Sequence, residues 1–240
     1  EKGVESIPEF FGESFAREIT KARGKQDLII GNNVLAHVPD INDFVEGLRI
    51  ALADTGTITM EFPHLLNLLT YHQFDTIYHE HYSYLSLYTV QQIFAAHGLK
   101  IYDVETLPTH GGSLRIYACH KLDPRSVTGS VEKVVADETA YGLTKYETYV
   151  SFQKQVETIR SAFLAFLLQA KAEGKTVVGY GAAAKGNTLL NYCGIKGNQT
   201  IAAVADASPH KQGRYLPGSH IPVISPEKIK ELQPDYLIIF

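Results

Sequence analysis

Two histidines, one glutamate and three tyrosines fall within the run Tyr78-His79-Glu80-His81-Tyr82-Ser83-Tyr84, just after Phe74-Asp75-Thr76-Ile77. An imidazole titrates near neutrality, a carboxylate can orient it, and a phenol can donate to a developing oxyanion, so the set equips a site for acid/base chemistry. The plainer alternative is a polar loop whose aromatic rings are hydrogen-bonded for structure. His79 and His81 are two apart and would share one face of a strand as metal ligands. No further Asp, Glu or His set follows at a recognisable ligand spacing, so no metal site is expected.

Three further clusters stand elsewhere. His37 lies in Asn32-Asn33-Val34-Leu35-Ala36-His37-Val38, at the carboxyl end of an expected parallel strand, where open α/β sheets bind ligands. It reads equally well as a site residue or a satisfied structural one. His110-Gly111-Gly112-Ser113 makes a hairpin turn, or lets backbone amides approach a ligand. Gly179-Tyr180-Gly181-Ala182-Ala183-Ala184-Lys185-Gly186 matches G-x-G-x-x-A between an expected strand and helix, with Asp206 about 20 residues beyond its end. That context suits a phosphate at a helix N-terminus, with Lys185 and Asn187 in a general nucleotide cradle. Asp206 reads as a ribose ligand or as a strand-end cap.

The elements that must position these groups alternate. Residues 27–33 read as a buried strand, 41–53 as a helix N-capped by Asp40, and 57–62 as a strand after a break at Gly56. Strand, helix, strand is a parallel α/β unit. Residues 63–87 lose all period, and a loop of about 25 residues inside a compact domain is usually functional. A helix over 89–97 and strands over 100–106 and 113–120 follow, the last two as an antiparallel edge. Residues 131–172 read as one or two helices. A second α/β unit then runs through a strand at 176–181, a helix at 183–192, a strand at 200–205, a helix after Pro226 and an apolar core strand at 236–240, on which the chain stops as if trimmed.

Composition excludes several function classes. With 240 residues, 45% hydrophobic and 20% charged, the chain is an ordinary folded protein and neither disordered, collagenous nor coiled coil. Its 22 Lys and Arg against 26 Asp and Glu form no basic stripe, so a nucleic-acid partner is not expected. Two cysteines, Cys119 and Cys193, build neither a disulfide framework nor a zinc cluster, which fits a reducing cytoplasm. The longest apolar run, 162–168, is too short to span a bilayer, and the first residues are no signal peptide, so no membrane role is expected.

Taken in order, five segments resemble the sugar C-methyltransferases that use S-adenosylmethionine on nucleotide-linked 4-keto-6-deoxysugars. They are Asn32 to Val38, Phe74 to His81, His110-Gly111-Gly112-Ser113-Leu114-Arg115, Tyr180 to Asn187, and Lys211-Gln212-Gly213-Arg214-Tyr215-Leu216-Pro217-Gly218. The resemblance implies an N-terminal zinc ribbon, a central methyltransferase domain and a C-terminal Rossmann-like domain. Neither zinc-ribbon cysteines nor a glycine-rich loop precedes Asp27. The expected fold is therefore α/β: residues 1–120 as the second half of a Rossmann-like methyltransferase sheet, 121–173 as a helical bridge, and 174–240 as a Rossmann-like C-terminal domain cut short at its end. Zinc would belong only to the absent N-terminal region, and the fragment alone is expected to be inactive.

The resemblance also implies roles. His81 is the base, flanked by Tyr78 and Glu80, with His37 lining the same pocket. Asn32, Asn33 and Val34 take the cofactor, S-adenosylmethionine. His79, His110, Gly111, Gly112, Ser113, Tyr180, Gly181, Lys185, Asn187 and Asp206 take the nucleotide-linked sugar. The chemistry is C-methyl transfer through an enolate. The other classes open at this point are an NAD(P)-dependent oxidoreductase or epimerase built on Gly179 to Gly186, and a non-catalytic nucleotide-sugar binding module.

Overall fold

Residues 3, 5–197 and 199–240 are described by the computed structural model. They fall into two compact units. The first comprises the chain up to Tyr71 together with Glu80–Thr148, the second His72–His79 and Tyr149–Phe240.

In the first unit α1 (Glu13–Arg23) leads into β1 (Gln26–Asn32), α2 (Ile41–Ala51) and β2 (Leu52–Pro63). The helix α2 starts where the sequence puts a cap: Oδ1 of Asp40 accepts from the Asn42 and Asp43 N–H groups at 3.0 Å each. Its apolar face buries Phe44, Val45 and Leu48. Then come α3 (Leu65–Thr70), α4 (Leu87–Ala96), β3 (Leu99–Leu107), β4 (Ser113–His120) and α5 (Gly129–Tyr141). The strands order as β1-β2-β4-β3, with β1 parallel to β2, and β4 antiparallel to both β2 and β3. Ile58, Met60, Phe62, Phe94, Leu114 and Ile116 form the centre of one core under the helices. At roughly 1.5–3 kcal/mol for each such side chain, that burial is a large favourable contribution to holding the helices on the sheet.

Four expectations are corrected here. The strand expected to be buried over 27–33 is an edge strand: Leu28 and Ile30 are 55% and 64% exposed, because β1 pairs only with β2. The strand expected to begin after Gly56 begins at Leu52, but its pairing with β1 jumps from Leu52 to Thr57, so the ladder is interrupted over 53–56, where Arg125 donates to the Gly56 carbonyl at 2.6 Å. The segment 63–87 is not structureless, for it holds α3 and a 3₁₀ turn at Phe74–Thr76. The first 26 residues supply α1, an amphipathic helix that buries Ala16 and to which the sequence analysis assigned no element.

The second unit contains α6 (Tyr146–Ala172, from Tyr149 onward), β5 (Val177–Tyr180), α7 (Ala184–Tyr192), β6 (Val204–Ala205), β7 (Val223–Ile224), α8 (Lys228–Leu232) and β8 (Tyr236–Ile239). All four strands run parallel in the order β7-β6-β5-β8. Leu167 and Ala170 of α6 pack with Leu190, Ile201 and Val204. Two corrections apply. The strand expected over 200–205 is only Val204–Ala205, and the last strand is an edge, with Leu237 46% and Ile239 71% exposed. Apolar composition marks a strand but not whether a neighbour covers it.

Candidate functional site

At the carboxyl end of β1 the first unit brings together two histidines, His37 and His81. A 3₁₀ turn at Leu35–His37 follows β1 and turns the His37 ring inward. Its Nδ1 lies 2.9 Å from the main-chain carbonyl of Glu80, and since a carbonyl only accepts, Nδ1 carries the proton. The other nitrogen, Nε2, is then a lone-pair site, and it is buried with no hydrogen-bond partner. The rings of His37 and His81 meet edge to face, centroids 4.6 Å apart at 69°, and Tyr84 stands 5.9 Å beyond His81. The backbone fixes the same stretch: the N–H groups of Tyr82 and Ser83 both donate to the Ala36 carbonyl, at 2.9 and 3.2 Å. The contact of Glu80 with His37 is thus made by its carbonyl, and its side chain is exposed.

The expected cofactor residues Asn32, Asn33 and Val34 form the turn out of β1. Asn33 has φ +53°, the left-handed region that Asn tolerates better than most, and its N–H donates to the Glu61 carbonyl at 2.8 Å. Its side-chain Oδ1 is buried without a partner. Glu61, which no sequence pattern singled out, lies two residues before the end of β2 and sits in register with Arg115 of β4, itself opposite Glu105 of β3. Its carboxylate accepts from Thr109 Oγ1 at 2.7 Å and Arg115 Nη2 at 2.9 Å. The Thr109 bond, and then Arg115, hold its carboxyl below the usual range although burial pushes it up. A charged row at the carboxyl end of a parallel strand is the signal that would have found it.

Thr109 opens the His110-Gly111-Gly112 turn. His110 is left-handed at φ +54°, and Gly112 sits at φ +114° with Asn67 so close that a Cβ would fall 2.2 Å from its amide nitrogen. Only glycine fits. The Ser113 hydroxyl donates to the Thr109 carbonyl at 3.0 Å and is fully buried, so it closes the turn.

The second unit holds the remaining expected residues. Tyr78 and His79 pack ring against ring at 6.3 Å, and His79 lines a cavity of about 390 Å³ with Asn187, His210, Lys211, Arg214 and Tyr215. Gly181, at φ +97°, donates to the Ala205 carbonyl at 2.7 Å and turns the chain from β5 toward α7, past Tyr180 and before Lys185. Asp206 is consumed locally. Its Oδ2 accepts from the Ala182 N–H at 2.8 Å and from Lys211 at 3.1 Å, while Oδ1 accepts from the Ser208 N–H at 2.8 Å. Burial pushes its carboxyl up, but the Ser208, Lys211 and Ala182 donors outweigh this and hold it below the ordinary value. Among the described residues no three His, Cys, Asp or Glu side chains are grouped to hold a metal ion. No helix of the described residues is long and apolar enough to cross a membrane.

Comparison with known proteins decides the family. Residues 108–240 match the model of the C-methyltransferase C-terminal domain. The chain belongs to this C-methyltransferase family. It is also similar to the C-methyltransferase NovU of Streptomyces niveus, 39% identical over 239 residues, and it spans 57% of that relative's length. Among solved structures it is similar to the magnesium protoporphyrin IX methyltransferase of Synechocystis PCC 6803 with bound SAH, at 17% identity and a TM-score of 0.32 over 40% of this chain and 45% of that one. A SAM-dependent methyltransferase of Anabaena variabilis ATCC 29413 gives 13% identity and a TM-score of 0.35 over 46% and 55%. The α/β character of this chain rests on its own two sheets.

Proposed function

We propose that this chain supplies the substrate-facing part of an enzyme that moves a methyl group from S-adenosylmethionine to the carbon beside the ketone of a nucleotide-linked keto-deoxysugar, with His81 as the base. The observation that carries the reading is the pair of imidazoles at the carboxyl end of β1: a half-buried His37, whose Nε2 is buried without a hydrogen-bond partner, packed against His81. A C–H beside a ketone is a weak carbon acid, so its removal needs a positioned base and donors toward the enolate oxygen. His81 takes the proton, and the electron pair moves into the carbonyl. With Nδ1 donating to the Glu80 carbonyl, neutral His37 offers its Nε2 only as an acceptor, so the donor toward the enolate oxygen is a group other than neutral His37.

The orphaned Oδ1 of Asn33 fits a ligand rich in N–H groups, which S-adenosylmethionine is through its ammonium and adenine amine. Asn32, Asn33 and Val34 would hold it. When bound, it supplies an electrophilic sulfonium methyl, and the protein's remaining task is alignment.

The nucleotide half is assigned to the second unit's cavity, where Lys211, Arg214 and the His210 ring suit a diphosphate and Tyr215 a base. The oxidoreductase reading is weakened by Asp206, whose oxygens are taken up by its own loop and so are not offered to a ribose. Cys119 and Cys193 are both buried and unpaired, which supports a cytoplasmic setting.

Proton NMR in deuterium oxide tests the proposal, using the full-length protein with a nucleotide-linked 4-keto-6-deoxysugar before and after adding S-adenosylmethionine. The expected result is exchange beside the ketone, then a new methyl signal, both lost in His81→Asn. Binding of the nucleotide-sugar without exchange would leave only a binding module.

A further inference from the structure

Glu138 lies on the apolar face of α5 beside Val131 and Val134, and it is 1% exposed. A carboxylate there is costly unless its lone pairs are used. They are used three times. Oε1 accepts from His64 Nε2 at 2.7 Å and from the Leu87 N–H at 2.6 Å, and Oε2 accepts from the Tyr88 N–H at 2.9 Å.

Leu87 and Tyr88 open α4, whose first N–H groups have no partner within the helix. A local cap already serves that end, since the Ser86 hydroxyl accepts from the Thr89 N–H. The carboxylate arriving from about 50 residues away does something a local cap does not. His64 stands at the entry of the segment that carries His81, and Leu87 stands at its exit. The two ends also touch through the backbone: His64 bridges Leu85, and the Leu65 N–H donates to the Leu85 carbonyl at 2.9 Å. His64 in turn donates its own N–H to the Gly112 carbonyl at 3.0 Å. One buried side chain therefore ties together the entry and exit of the histidine segment and, through His64, the His110-Gly111-Gly112 turn.

We propose that Glu138 is the positioning residue of the histidine segment: it holds entry and exit in one register so that His81 stays against His37. The proposal rests on the reading of His81 as the base. Glu138 touches no reacting atom, so its loss lowers kcat and leaves KM. Glu138→Gln has the same shape, but its NH2 replaces one of the two oxygens and so faces either the Tyr88 N–H or the His64 and Leu87 donors, and at least one of the three loses its acceptor.

The test uses the full-length protein and three variants: Glu138→Gln, Val134→Ala on the same helix as a matched core control, and His81→Asn. Amide hydrogen exchange without ligand reads the segment directly. Glu138→Gln is expected to speed exchange at Tyr82, Ser83, Leu87 and Tyr88 by tenfold or more, with Val134→Ala leaving them unchanged. Turnover of a nucleotide-linked 4-keto-6-deoxysugar with S-adenosylmethionine is expected to fall 10- to 100-fold in kcat, with both KM values within twofold. Unchanged exchange in Glu138→Gln, equal acceleration in Val134→Ala, or a raised KM at constant kcat would overturn the proposal. If Glu138→Gln does not fold, His64→Leu, which carries no donor, removes one of the three bonds: faster exchange over 81–88 supports the proposal and unchanged exchange refutes it. Normal turnover in His81→Asn would remove the base reading while the exchange data still judged the tie itself.

Discussion

At the end of β1 the groups that face one another are side chains: two imidazoles, a tyrosine, and an asparagine oxygen left without a partner. At the end of β5 they are mostly main-chain groups, with Gly181 turning the chain and Asp206 spending its oxygens on the loop that surrounds it. Both are strand-turn-helix units of a parallel pair, yet they are finished differently. Proton transfer needs an imidazole held within hydrogen-bond reach of a carbon acid, so the first unit spends buried polar groups on orientation. On the proposed reading the second unit holds a phosphate, which needs only amides, a cation and room, and what it shows is a cavity beside its turn and a turn fixed from within. Chemistry is expected from the first unit and affinity from the second.

The largest consequence is kinetic. His81→Asn should lower methyl transfer by about 10³-fold, within the range that positioned acid/base groups supply, while leaving nucleoside diphosphate affinity unchanged. Turnover and calorimetric titration of the same preparation check both halves. An affinity that fell with the rate would mean that the two units do not divide the labour in this way.

Next in size is a stability effect confined to the first unit. Gly112→Ala meets both a left-handed backbone and the Asn67 side chain, whereas Gly98→Ala, at φ +69° with nothing within 4 Å, meets the backbone penalty alone. The first should cost about 2–4 kcal/mol and the second about 1 kcal/mol, by urea unfolding. Equal costs would show that the packing of the turn on α3 is loose.

What the sequence made legible follows the same division. Asp40 at a helix start, the β-branched run of β2 and the pair β3 and β4 are local signals, and each of these elements formed. The crowding of His79, Glu80 and His81 was equally local, and the structure brings His81 to His37 across 44 positions of chain. Glu61 and Glu138 were not seen, because what makes each notable is a partner 48 to 74 residues away. For Glu138 a trace existed, an acid at a position of α5 where Val131 and Val134 set the apolar spacing. The exposure of β1 and β8 was misread for the opposite reason, since apolar strands look alike whether or not a neighbour covers them.

The second unit's own test is of affinity. Arg214→Ala should weaken nucleoside diphosphate binding by about 10- to 100-fold, as expected for one charge-assisted contact, with kcat at saturation near normal. A matching fall in kcat would place Arg214 in the chemistry and blur the division.

The smallest effect concerns acid stability. Glu46 accepts from Arg49 at 2.6 Å and faces His97 Nδ1 at 3.0 Å, and its carboxyl is lowered from 4.5 to about 2, first by the Arg49 hydrogen bond. A carboxyl depressed on folding stabilises the fold in full above its unfolded value and loses that contribution as pH falls through its folded value. The window is therefore about pH 4.5 down to about pH 2. Arg49 is 38% exposed, so solvent screening leaves about 1–2 kcal/mol of the contribution. Glu46→Gln should lower the first unit's stability by that amount at pH 7 and by little at pH 2, so that its unfolding curve against pH is flatter than that of the parent protein. Lys175 and Asp235 form an exposed pair in the second unit, where the Asp235 carboxyl is held below its ordinary value first by the Thr176 N–H and then by Lys175, so Asp235→Asn should flatten the slope in the same direction as Glu46→Gln but by less. Equal slopes for the two variants would mean that the α2 ion pair is as solvated as the surface one, and that the buried carboxylates Glu61, Asp123 and Glu138 are what set the first unit apart.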